Sequence, residues 1–281
     1  MIIAKIKGGL GNQLFQYAVG RSLALHHKAP LKLDLTIYET YKLHKGYRLD
    51  QFEIQADIAT SSEIVGLKGG SSMLYSALRK AGLVKRKSYY KEKRSSYFDT
   101  SIFNNNYIYI DGYWQNELYF SDIRELLLRE LVPTISMNDL GFDYLNSIKN
   151  SNSVSLHVRR GDYLKIKNIN VLDVDYYMKA VDYIKKNVEK PMFYIFSDDL
   201  DWCKNNLGFL NNCNYVDLTQ TEIDDLKLMS FCQHNIIANS SFSWWGAWLN
   251  QNPKKIVIAP KEWLINDPGS SNVILSDWIK L

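Results

Sequence analysis

The second half of the chain alternates short apolar runs with longer amphipathic runs, and this order strongly limits the folds open to it. The predicted elements are strand 154–158, helix 176–187, strand 192–196, helix 226–232, strand 235–238, helix 243–250 and strand 255–259. Short apolar runs bounded by turn residues indicate buried strands, and a 3.6-residue repeat indicates helices. Strands that alternate with helices form parallel sheets covered by helices on both faces. The predicted fold class is therefore α/β.

The first half opens with a strand, a glycine turn and a helix, predicted at 2–7, 8–11 and 14–25. Further strands are predicted at 31–35 and 107–113, and a helix at 122–131 that Pro133 ends. A chain of 281 residues is long enough for two domains. Because Asn, Ser and Gly accumulate between residues 133 and 152, we predict domains at 1–150 and 151–281.

Charge and cysteine content narrow the partners and the compartment. A net charge of +4 does not indicate a polyanion, and we expect no nucleic-acid partner. The basic segment 79–94 contains a single acid, and it favours a solvated helix or loop over the alternative of peripheral contact with anionic lipids of the inner membrane. Three cysteines without CxxC spacing indicate neither disulfides nor zinc. With no apolar leader or span visible in the sequence, we expect a cytoplasmic protein.

The segment 157–163 (HVRRGDY) lies where a predicted buried strand ends. Ligands of open α/β sheets bind beyond the carboxyl ends of strands, so Arg159 and Arg160 are placed to bind an anion. Their planar, permanently charged groups suit a diphosphate. The alternative is a structural ion pair with Asp162, although pairing both arginines would require a second acid.

The segment 239–249 (NSSFSWWGAWL) joins a predicted strand to a predicted helix. Free N–H groups and the positive end of the helix dipole favour a phosphate at such a turn. No Walker lysine is present. The alternative is an ordinary helix cap followed by a tryptophan-rich core helix, which accounts for Trp245 and Trp248 better than for the serines.

The segment 8–13 (GGLGNQ) is a weaker signal. It lacks the ending of a Walker loop, and Phe15 and Gln16 stand where a dinucleotide-binding loop has its third glycine, so an NAD-dependent enzyme is disfavoured. The glycines permit close approach to a ligand, with Asn12 available to bond it. Turn formation alone is the equally weighted alternative.

Further polar residues that could bind a ligand lie at the ends of two other predicted elements. Ser197 and Asp198 come after the strand that ends at 196, and Asp225 lies at the start of a predicted helix, where acids are also good caps. Such a carboxylate suits hydrogen bonds from a guanine or a ribose. No cluster of His, Cys, Asp and Glu has metal-ligand spacing, and we expect no metal.

Together these motifs resemble the α-1,2-fucosyltransferases of glycosyltransferase family 11. The resemblance covers almost the whole chain in order, through residues 8–17 (GGLGNQLFQY), 157–163 (HVRRGDY) and 229–249 (MSFCQHNIIANSSFSWWGAWL), with lesser matches at 111–115 (DGYWQ) and 196–199 (FSDD).

The resemblance implies a GT-B architecture, in which two Rossmann-like domains face each other across a cleft. It implies an inverting, metal-independent enzyme without a cofactor. The donor would be GDP-β-L-fucose, and the acceptor the 2-hydroxyl of a terminal galactose on an oligosaccharide or lipid-linked glycan precursor.

The resemblance also implies roles for individual residues. Arg159 and Arg160 would bind the diphosphate, His157 and Asp225 would approach the guanosine, and Asn12 would lie near the reacting sugar. We expect the remaining donor-site residues to be Gly11, Ser197, Asp198, Asn239, Ser240, Ser241 and Phe242. Asp162 is the nearest acid for a general base, and its alternative role is to pair with an arginine.

Two other functions stay open at this point. The chain could transfer a GDP-sugar with a different linkage, or it could be a catalytically silent nucleotide-binding or glycan-binding protein of the same fold. The linkage of the product distinguishes a transferase of different linkage from an α-1,2-fucosyltransferase. Release of GDP in the presence of a galactoside distinguishes an active enzyme from a silent binding protein.

Overall fold

A computed structural model describes residues 1–40, 45–69, 77–78, 81, 88–94, 96–134, 137–167, 169–217 and 221–281. The chain divides into two compact units, Met1–Thr134 and Ile135–Leu281. Each unit carries its own parallel sheet. The short 3-10 helices are Thr36–Glu39, Leu49–Gln51, Thr100–Asn104, Glu117–Tyr119, Ser121–Ile123, Tyr163–Lys165 and Pro268–Val273.

The first unit is built on a sheet whose central strand is the first in the chain. Its elements are β1 (Ile2–Lys5), α1 (Leu10–His26), β2 (Leu31–Asp34), β3 (Asp57–Ile58), α2 (Ser61–Lys68), β4 (Tyr89–Lys91), β5 (Ile108–Asp111) and α3 (Arg124–Glu130). The strand order is β3-β2-β1-β5-β4, with every pairing parallel. The chain runs outward from β1 through β2 to β3, and then inward from the opposite edge strand β4 to β5. The break in strand order between β1 and β5 is the switch point of this sheet.

The second unit is also built on a parallel sheet, and β6 is one of the two central strands of its six. Its elements are α4 (Asp139–Lys149), β6 (Ser153–Val158), α5 (Val174–Asn187), β7 (Met192–Ser197), α6 (Leu200–Asn206), β8 (Cys213–Tyr215), α7 (Glu222–Phe231), β9 (His234–Ile236), α8 (Ser241–Leu249), β10 (Val257–Ala259) and β11 (Ile279–Lys280). The strand order is β11-β10-β9-β6-β7-β8, again parallel. This is the doubly wound Rossmann order, and its switch point lies between β6 and β9.

The two parallel sheets confirm the predicted α/β class. The predicted strands and helices all occur, with ends that differ by a few residues. Sequence periodicity missed the short strands β3, β4, β8 and β11, because elements of two or three residues carry too little pattern. It also missed the helices α2, α4 and α6, which have 8, 11 and 7 residues. The predicted boundary at 150/151 falls at the end of α4, which packs on α7 within the second unit.

Helix α5 covers the second sheet because its apolar residues recur at helical spacing. Asp173 caps its start, where Oδ1 accepts the N–H of Tyr176 at 3.0 Å. The apolar side is buried against the side chains of β6, and its residues are Tyr177, Ala180, Val181 and Ile184.

The tryptophans of α8 belong to the core of the second unit. Trp244, Trp245 and Trp248 are fully buried and pack ring against ring at centroid distances of 5.0–6.1 Å. Trp244 Nε1 donates to the carbonyl of Val273 at 2.7 Å, which satisfies its buried donor. The core-helix interpretation of this segment is therefore right for these rings.

The basic segment 79–94 is described only in part. Arg79, Lys80 and the cluster 85–87 lie outside the described residues. Lys93 pairs with Asp99 at 3.3 Å on the surface of the first unit. Among the helices of the described ranges, none is long and apolar enough to cross a membrane.

A buried chain of amides joins β9 to its neighbours in the second unit. Asn235 Nδ2 donates to Ser155 Oγ at 2.7 Å and to the carbonyl of Met229 at 2.9 Å. Asn250 Nδ2 donates to Asn235 Oδ1 at 2.8 Å and to the carbonyl of Cys232 at 2.7 Å. These bonds connect β9 with β6 and with the ends of α7 and α8.

We expect Asn235→Ala to lower the free energy of unfolding by about 2 kcal/mol or more, because it leaves several buried partners without a hydrogen bond. Urea unfolding followed by circular dichroism measures the change. Asn146→Ala, on the exposed surface of α4, is the control and should leave the midpoint nearly unchanged. Equal effects of the two substitutions would contradict the structural role of this amide chain.

Candidate functional site

The switch point of the second sheet brings two predicted motifs together. Strands β6 and β9 are neighbours, with Leu156 opposite Ile236. The segment after β6 carries Arg159 and Arg160, and the turn after β9 carries Asn239 and Ser240. Ligands of open α/β sheets bind in the crevice between two such segments.

Arg159 lies between two carboxylates at this edge. Its Nη2 is 2.8 Å from Asp162 Oδ1, and its Nη1 is 3.2 Å from Asp198 Oδ2. The guanidinium also lies over the ring of Tyr163, at 5.5 Å from the centroid. The ion pair with Asp162 that the sequence left as an alternative is therefore present.

Arg160 is held by the segment after β7. Its Nε is 3.6 Å from Asp199 Oδ2, and its guanidinium carbon is 4.1 Å from the centroid of the Trp202 ring. Its backbone N–H donates to Asp198 Oδ1 at 2.9 Å. Asp198 and Asp199 thus supply the further acids that pairing both arginines requires.

The ion-pair cluster of Arg159, Arg160, Asp162, Asp198 and Asp199 remains accessible. The exposed fractions of these side chains run from 17% for Arg160 to 36% for Asp162. Exposed ion pairs contribute little to stability, because water competes for both partners. A ligand that carries two negative charges can therefore replace the carboxylates at little cost to the fold.

Gly161 permits this close arrangement. A Cβ at this position would stand 2.7 Å from Asp198 Oδ2, closer than real Cβ contacts allow. Any larger residue would displace the carboxylate that orients Arg159.

The turn between β9 and α8 is fixed by hydrogen bonds to other segments. Tyr163 Oη donates to the carbonyl of Asn239 at 3.1 Å, and Asn239 Nδ2 donates to the carbonyls of Asn170 and Trp263 at 2.8 and 3.2 Å. Ser240 is the N-cap residue of α8, and its side chain makes no capping hydrogen bond. The first N–H groups of the helix are therefore not capped by this hydroxyl.

The predicted residues at the start of α8 differ in their roles. Ser241 and Phe242 are half-buried and reachable by a ligand. Ser243 is buried, and its Oγ donates to the carbonyls of Ala238 and Ser240, both at 3.2 Å. Ser243 thus closes the turn, whereas its two predecessors stay available.

His157 is a buried neutral imidazole at the base of the crevice. Burial, with a smaller effect from the positive charge of Arg159, lowers its pKa to about 3. Its ring centroid is 5.6 Å from that of Phe242. Its Nδ1 is buried without a hydrogen-bond partner among the described residues, and the same holds for Asn239 Oδ1.

Buried polar atoms are nearly always hydrogen-bonded in native proteins. Two such atoms on segments that flank one crevice therefore point to a ligand with groups that bond to them. Asn239 Oδ1 can only accept a hydrogen bond, while Nδ1 of a neutral imidazole donates or accepts according to its tautomer.

Two predicted residues contribute differently. Ser197 ends β7, and its Oγ accepts the N–H of Asp199 at 2.9 Å, so it shapes the acidic turn. Asp225 lies half-buried in the first turn of α7. Its proximity to a nucleotide base stays a prediction.

The first unit has its own site residues at the β1/β5 switch point. Gly11 is buried in the first turn of α1, and the half-buried Asn12 accepts a hydrogen bond on Oδ1 from Gln115 Nε2 at 2.8 Å. Because Gln115 follows β5 and Asn12 follows β1, this bond spans the switch point.

The glutamines of the N-terminal motif are structural. Gln13 Nε2 donates to the carbonyls of Gly8 and Gly46 at 3.0 and 2.9 Å. Gln16 Nε2 donates to the carbonyls of Lys7 and Gly112, both at 3.2 Å. These two side chains hold the turn, in which Gly8 has a φ of +82°. Of the three amide side chains in this motif, that of Asn12 is the one not used to hold the turn.

Sequence reasoning missed Trp202 and Gln115. Trp202 lies three residues after Asp199, in the first turn of α6, and its ring packs against the Arg160 guanidinium. The short spacing from Asp199 is the sequence feature that could have identified it. Gln115 is the last residue of the DGYWQ segment, but only the strand order shows that it hydrogen-bonds to Asn12. Among the described residues, no group of three His, Cys, Asp or Glu side chains is arranged to hold a metal.

Comparisons with known proteins agree on one family. The model of Glycosyl transferase family 11 matches residues 84–281. An alpha-1,2-colitosyltransferase of Escherichia coli is 34% identical, over 100% of this chain and 99% of its own. The O-antigen biosynthesis glycosyltransferase WbnK of Escherichia coli is 31% identical, over 98% and 99%. The galactoside 2-alpha-L-fucosyltransferase SEC1 of Bos taurus is 26% identical, over 51% of this chain and 42% of its own.

Solved structures share the fold. A mutant of Arabidopsis thaliana FUT1 in complex with GDP has a TM-score of 0.52 at 12% identity, covering 95% of this chain and 72% of that chain. NodZ alpha-1,6-fucosyltransferase soaked with GDP-fucose has a TM-score of 0.50 at 13% identity, covering 92% and 94%. Together with the two parallel sheets, this likeness confirms the predicted GT-B class.

The low pKa of His157 predicts a pH effect on stability. The unfolded imidazole takes up a proton near pH 6.5, whereas the folded one stays neutral down to about pH 3. Because the unfolded state binds more protons in that window, the free energy of unfolding falls as the pH falls from 6.5. His157→Gln removes this contribution, of about 1–2 kcal/mol between pH 6.5 and 5.

Urea unfolding at several pH values measures the slope. The wild-type protein should lose stability faster on acidification than His157→Gln, whatever the stability of the variant at neutral pH. His26→Gln changes an exposed histidine and should keep the wild-type slope. Identical slopes for the wild type and His157→Gln would show that His157 is protonated in the folded state.

Proposed function

Because this chain belongs to glycosyltransferase family 11, we propose that it transfers a 6-deoxyhexose from a GDP-sugar to the 2-hydroxyl of a terminal galactose, with inversion. The observation that carries the proposal is the pair of accessible arginines in a switch-point crevice whose His157 Nδ1 and Asn239 Oδ1 have no hydrogen-bond partner among the described residues. Cations for a diphosphate and polar atoms for a nucleoside stand side by side there.

L-Fucose is the first candidate for the transferred sugar, and colitose, its 3-deoxy counterpart, is the second. The motif resemblance and the mammalian relative favour fucose. The colitosyltransferase of Escherichia coli, similar over the full length of both chains, favours colitose. The names of both relatives state a 1,2 linkage or its equivalent, which supports the proposed acceptor hydroxyl.

The diphosphate would bind by exchanging with carboxylates of the ion-pair cluster. Three carboxylates surround two guanidinium groups, so the cluster carries a net charge of −1, and a diphosphate must displace carboxylates to reach the arginines. Phosphate oxygens that replace Asp162 and Asp198 on Arg159 would keep its charge paired and place the leaving group against a preorganised cation. The negative charge that develops on GDP as the glycosidic bond breaks is then stabilised without a metal.

The guanosine would lie against His157 and the start of α8. A neutral His157 donates or accepts one hydrogen bond at Nδ1, and the Phe242 ring beside it offers an apolar face to a base. Asn239 Oδ1 accepts a further hydrogen bond. We expect Ser240, Ser241 and Asp225 to complete this pocket.

Asn12 would orient the acceptor, because its side chain is held by Gln115 at the other switch point. Asp162 is the candidate general base for the 2-hydroxyl. Its carboxylate is occupied by an ion pair with Arg159 until the diphosphate takes over that arginine. Inverting displacement with an oxocarbenium-like transition state needs only a weak base, since the leaving group departs early.

We expect Arg159→Ala and Arg160→Ala each to lower turnover with GDP-fucose or GDP-colitose by about 10² to 10³, as loss of a preorganised charged donor typically does. Steady-state kinetics with a saturating galactoside measures the effect. Arg129→Ala removes an exposed arginine of α3 and should leave the rate unchanged. Wild-type rates in both of the first two variants would remove the diphosphate assignment.

The donor and the linkage are tested by parallel assays of the two donors with lactose, N-acetyllactosamine, lacto-N-biose and galactosyl-β-1,3-N-acetylgalactosamine. We expect one donor to be preferred, NMR of the product to show substitution at O2 of galactose with α configuration, and EDTA to leave the rate unchanged. A product substituted elsewhere would overturn the linkage, and loss of activity in EDTA would overturn the metal-independent mechanism.

A further inference from the structure

A second cavity lies in the first unit, at the carboxyl end of β4. It has a volume of about 300 Å³ and lies between the segments 92–100 and 114–119. Its wall is largely aromatic, and it includes Tyr90, Tyr97, Phe98, Trp114 and Tyr119. This size is at the lower end for small-molecule pockets, which suits a single sugar ring.

The aromatic rings form a layered wall. Trp114 and Tyr119 are almost fully buried and meet edge to face at a centroid distance of 5.6 Å, and Phe98 meets Tyr119 at 4.9 Å. Tyr97 and Phe98 are 39% and 38% exposed, so their rings remain available to a ligand. Flat apolar rings of this kind stack on the C–H faces of sugars while their surroundings bond the hydroxyls.

The cavity is already shaped without a ligand. Glu92 accepts the backbone N–H groups of Tyr113 and Trp114 at 2.6 and 3.0 Å, which holds Trp114 in the left-handed region at a φ of +57°. Tyr119 Oη accepts the N–H of Asp99 and donates to the carbonyl of Tyr97, both at 2.9 Å. A non-glycine residue in this conformation is strained, and such strain is typical of functional sites.

The charges around the cavity balance. Glu92 and Asp99 carry two negative charges, and Lys93 and Arg94 carry two positive charges. Lys93 is paired with Asp99 at 3.3 Å, and Arg94 lies over the Tyr97 ring at 5.3 Å. Because aromatic rings rather than free charges form most of its wall, this cavity suits a neutral ligand rich in hydroxyl groups.

The cavity adjoins the switch point of the first unit. Gln115, the residue after Trp114, donates to Asn12 at 2.8 Å. Adjacent Cα atoms are about 3.8 Å apart, which is shorter than one sugar unit of a glycan. The residue whose ring lines the cavity and the residue that bonds Asn12 are thus chain neighbours, so a galactose bound at Asn12 leaves the next sugar of the acceptor within reach of this aromatic wall.

We propose that this cavity is an acceptor subsite that binds the neutral sugar preceding the terminal galactose. The proposal rests on the proposed function for the identity of the acceptor. In this proposal Tyr97 and Phe98 select the acceptor glycan and do not contact the groups that react.

The test compares a galactose monosaccharide with a disaccharide. KM is measured for methyl β-galactoside and for the best of the four disaccharides above, with wild type, Tyr97→Ala, Phe98→Ala and Tyr97→Phe. We expect Tyr97→Ala to raise KM for the disaccharide about three- to tenfold, as loss of one ring contact does, with kcat and the KM values for donor and monosaccharide unchanged. Tyr97→Phe keeps the ring and should behave as wild type.

Tyr107→Ala removes an exposed ring of the same unit outside the cavity and serves as the control. The subsite is wrong if Tyr97→Ala and Phe98→Ala leave KM for the disaccharide unchanged, or raise KM for both acceptors equally. Tyr97→Ala is the primary variant because Phe98 also packs on Phe103 and Tyr119, so its loss affects folding more.

Saturation-transfer NMR with the four disaccharides and no donor separates this proposal from the proposed function. If the protein transfers no sugar but binds a disaccharide, and the signals vanish in Tyr97→Ala, the transferase assignment fails and the subsite stands. If wild type binds none of the four, or Tyr97→Ala binds them equally well, the subsite is overturned whatever the activity.

Discussion

The parallel pairing of β6 with β7 on one side and β9 on the other is the constraint on which the candidate donor site depends. Val158 lies opposite Ser197 in the β6/β7 register, and Leu156 lies opposite Ile236 in the β6/β9 register. These registers make three strands end at one edge, so that an arginine pair, an acidic turn and a helix start meet there. A one-residue slip would turn every side chain of β6 to the other face. Because both faces of β6 are buried, specific contacts such as the hydrogen bond from Asn235 Nδ2 to Ser155 Oγ oppose this slip.

The electrostatics of that edge explain how two adjacent arginines are accommodated in the fold. Two guanidinium groups side by side would repel each other, and acids from two segments neutralise them. Half-exposed carboxylates are also partners that a diphosphate can displace, because each ion pair gains little in the presence of water. The orphaned polar atoms of His157 and Asn239 lie deeper and have no such temporary partner among the described residues. In this crevice the charged groups are thus paired, whereas the polar atoms proposed to bind the nucleoside have no hydrogen-bond partner among the described residues.

Much of this organisation is predictable from sequence, for identifiable reasons. The long periodic elements and the three motifs at strand ends were predicted, since burial on both faces and glycine or serine turns leave strong patterns. The short strands at the sheet edges left no comparable pattern. Helix α4 is amphipathic and was missed because its Asn, Ser and Gly residues were interpreted as a domain boundary. Asn12 was identified beside Gln13, but only Asn12 is free to face a ligand, because the contacts that bury Gln13 come from Gly46 and Arg48, far along the chain. The aromatic cavity had no sequence signal, since its wall comes from two irregular segments that are separated in the chain.

The sequence by itself determined the α/β class, the family and the chemical types at each strand end, because these depend on local composition and order. Tertiary structure alone decided which acids hold the arginines, that the tryptophans of α8 are core, and that Gln115 meets Asn12. Arg160 and Asp198 are 38 residues apart, and Gln115 and Asn12 are 103 apart. Contacts over such separations follow from strand order and register. Packing and hydrogen bonding over the whole sheet select that order and register, and no local sequence pattern encodes them.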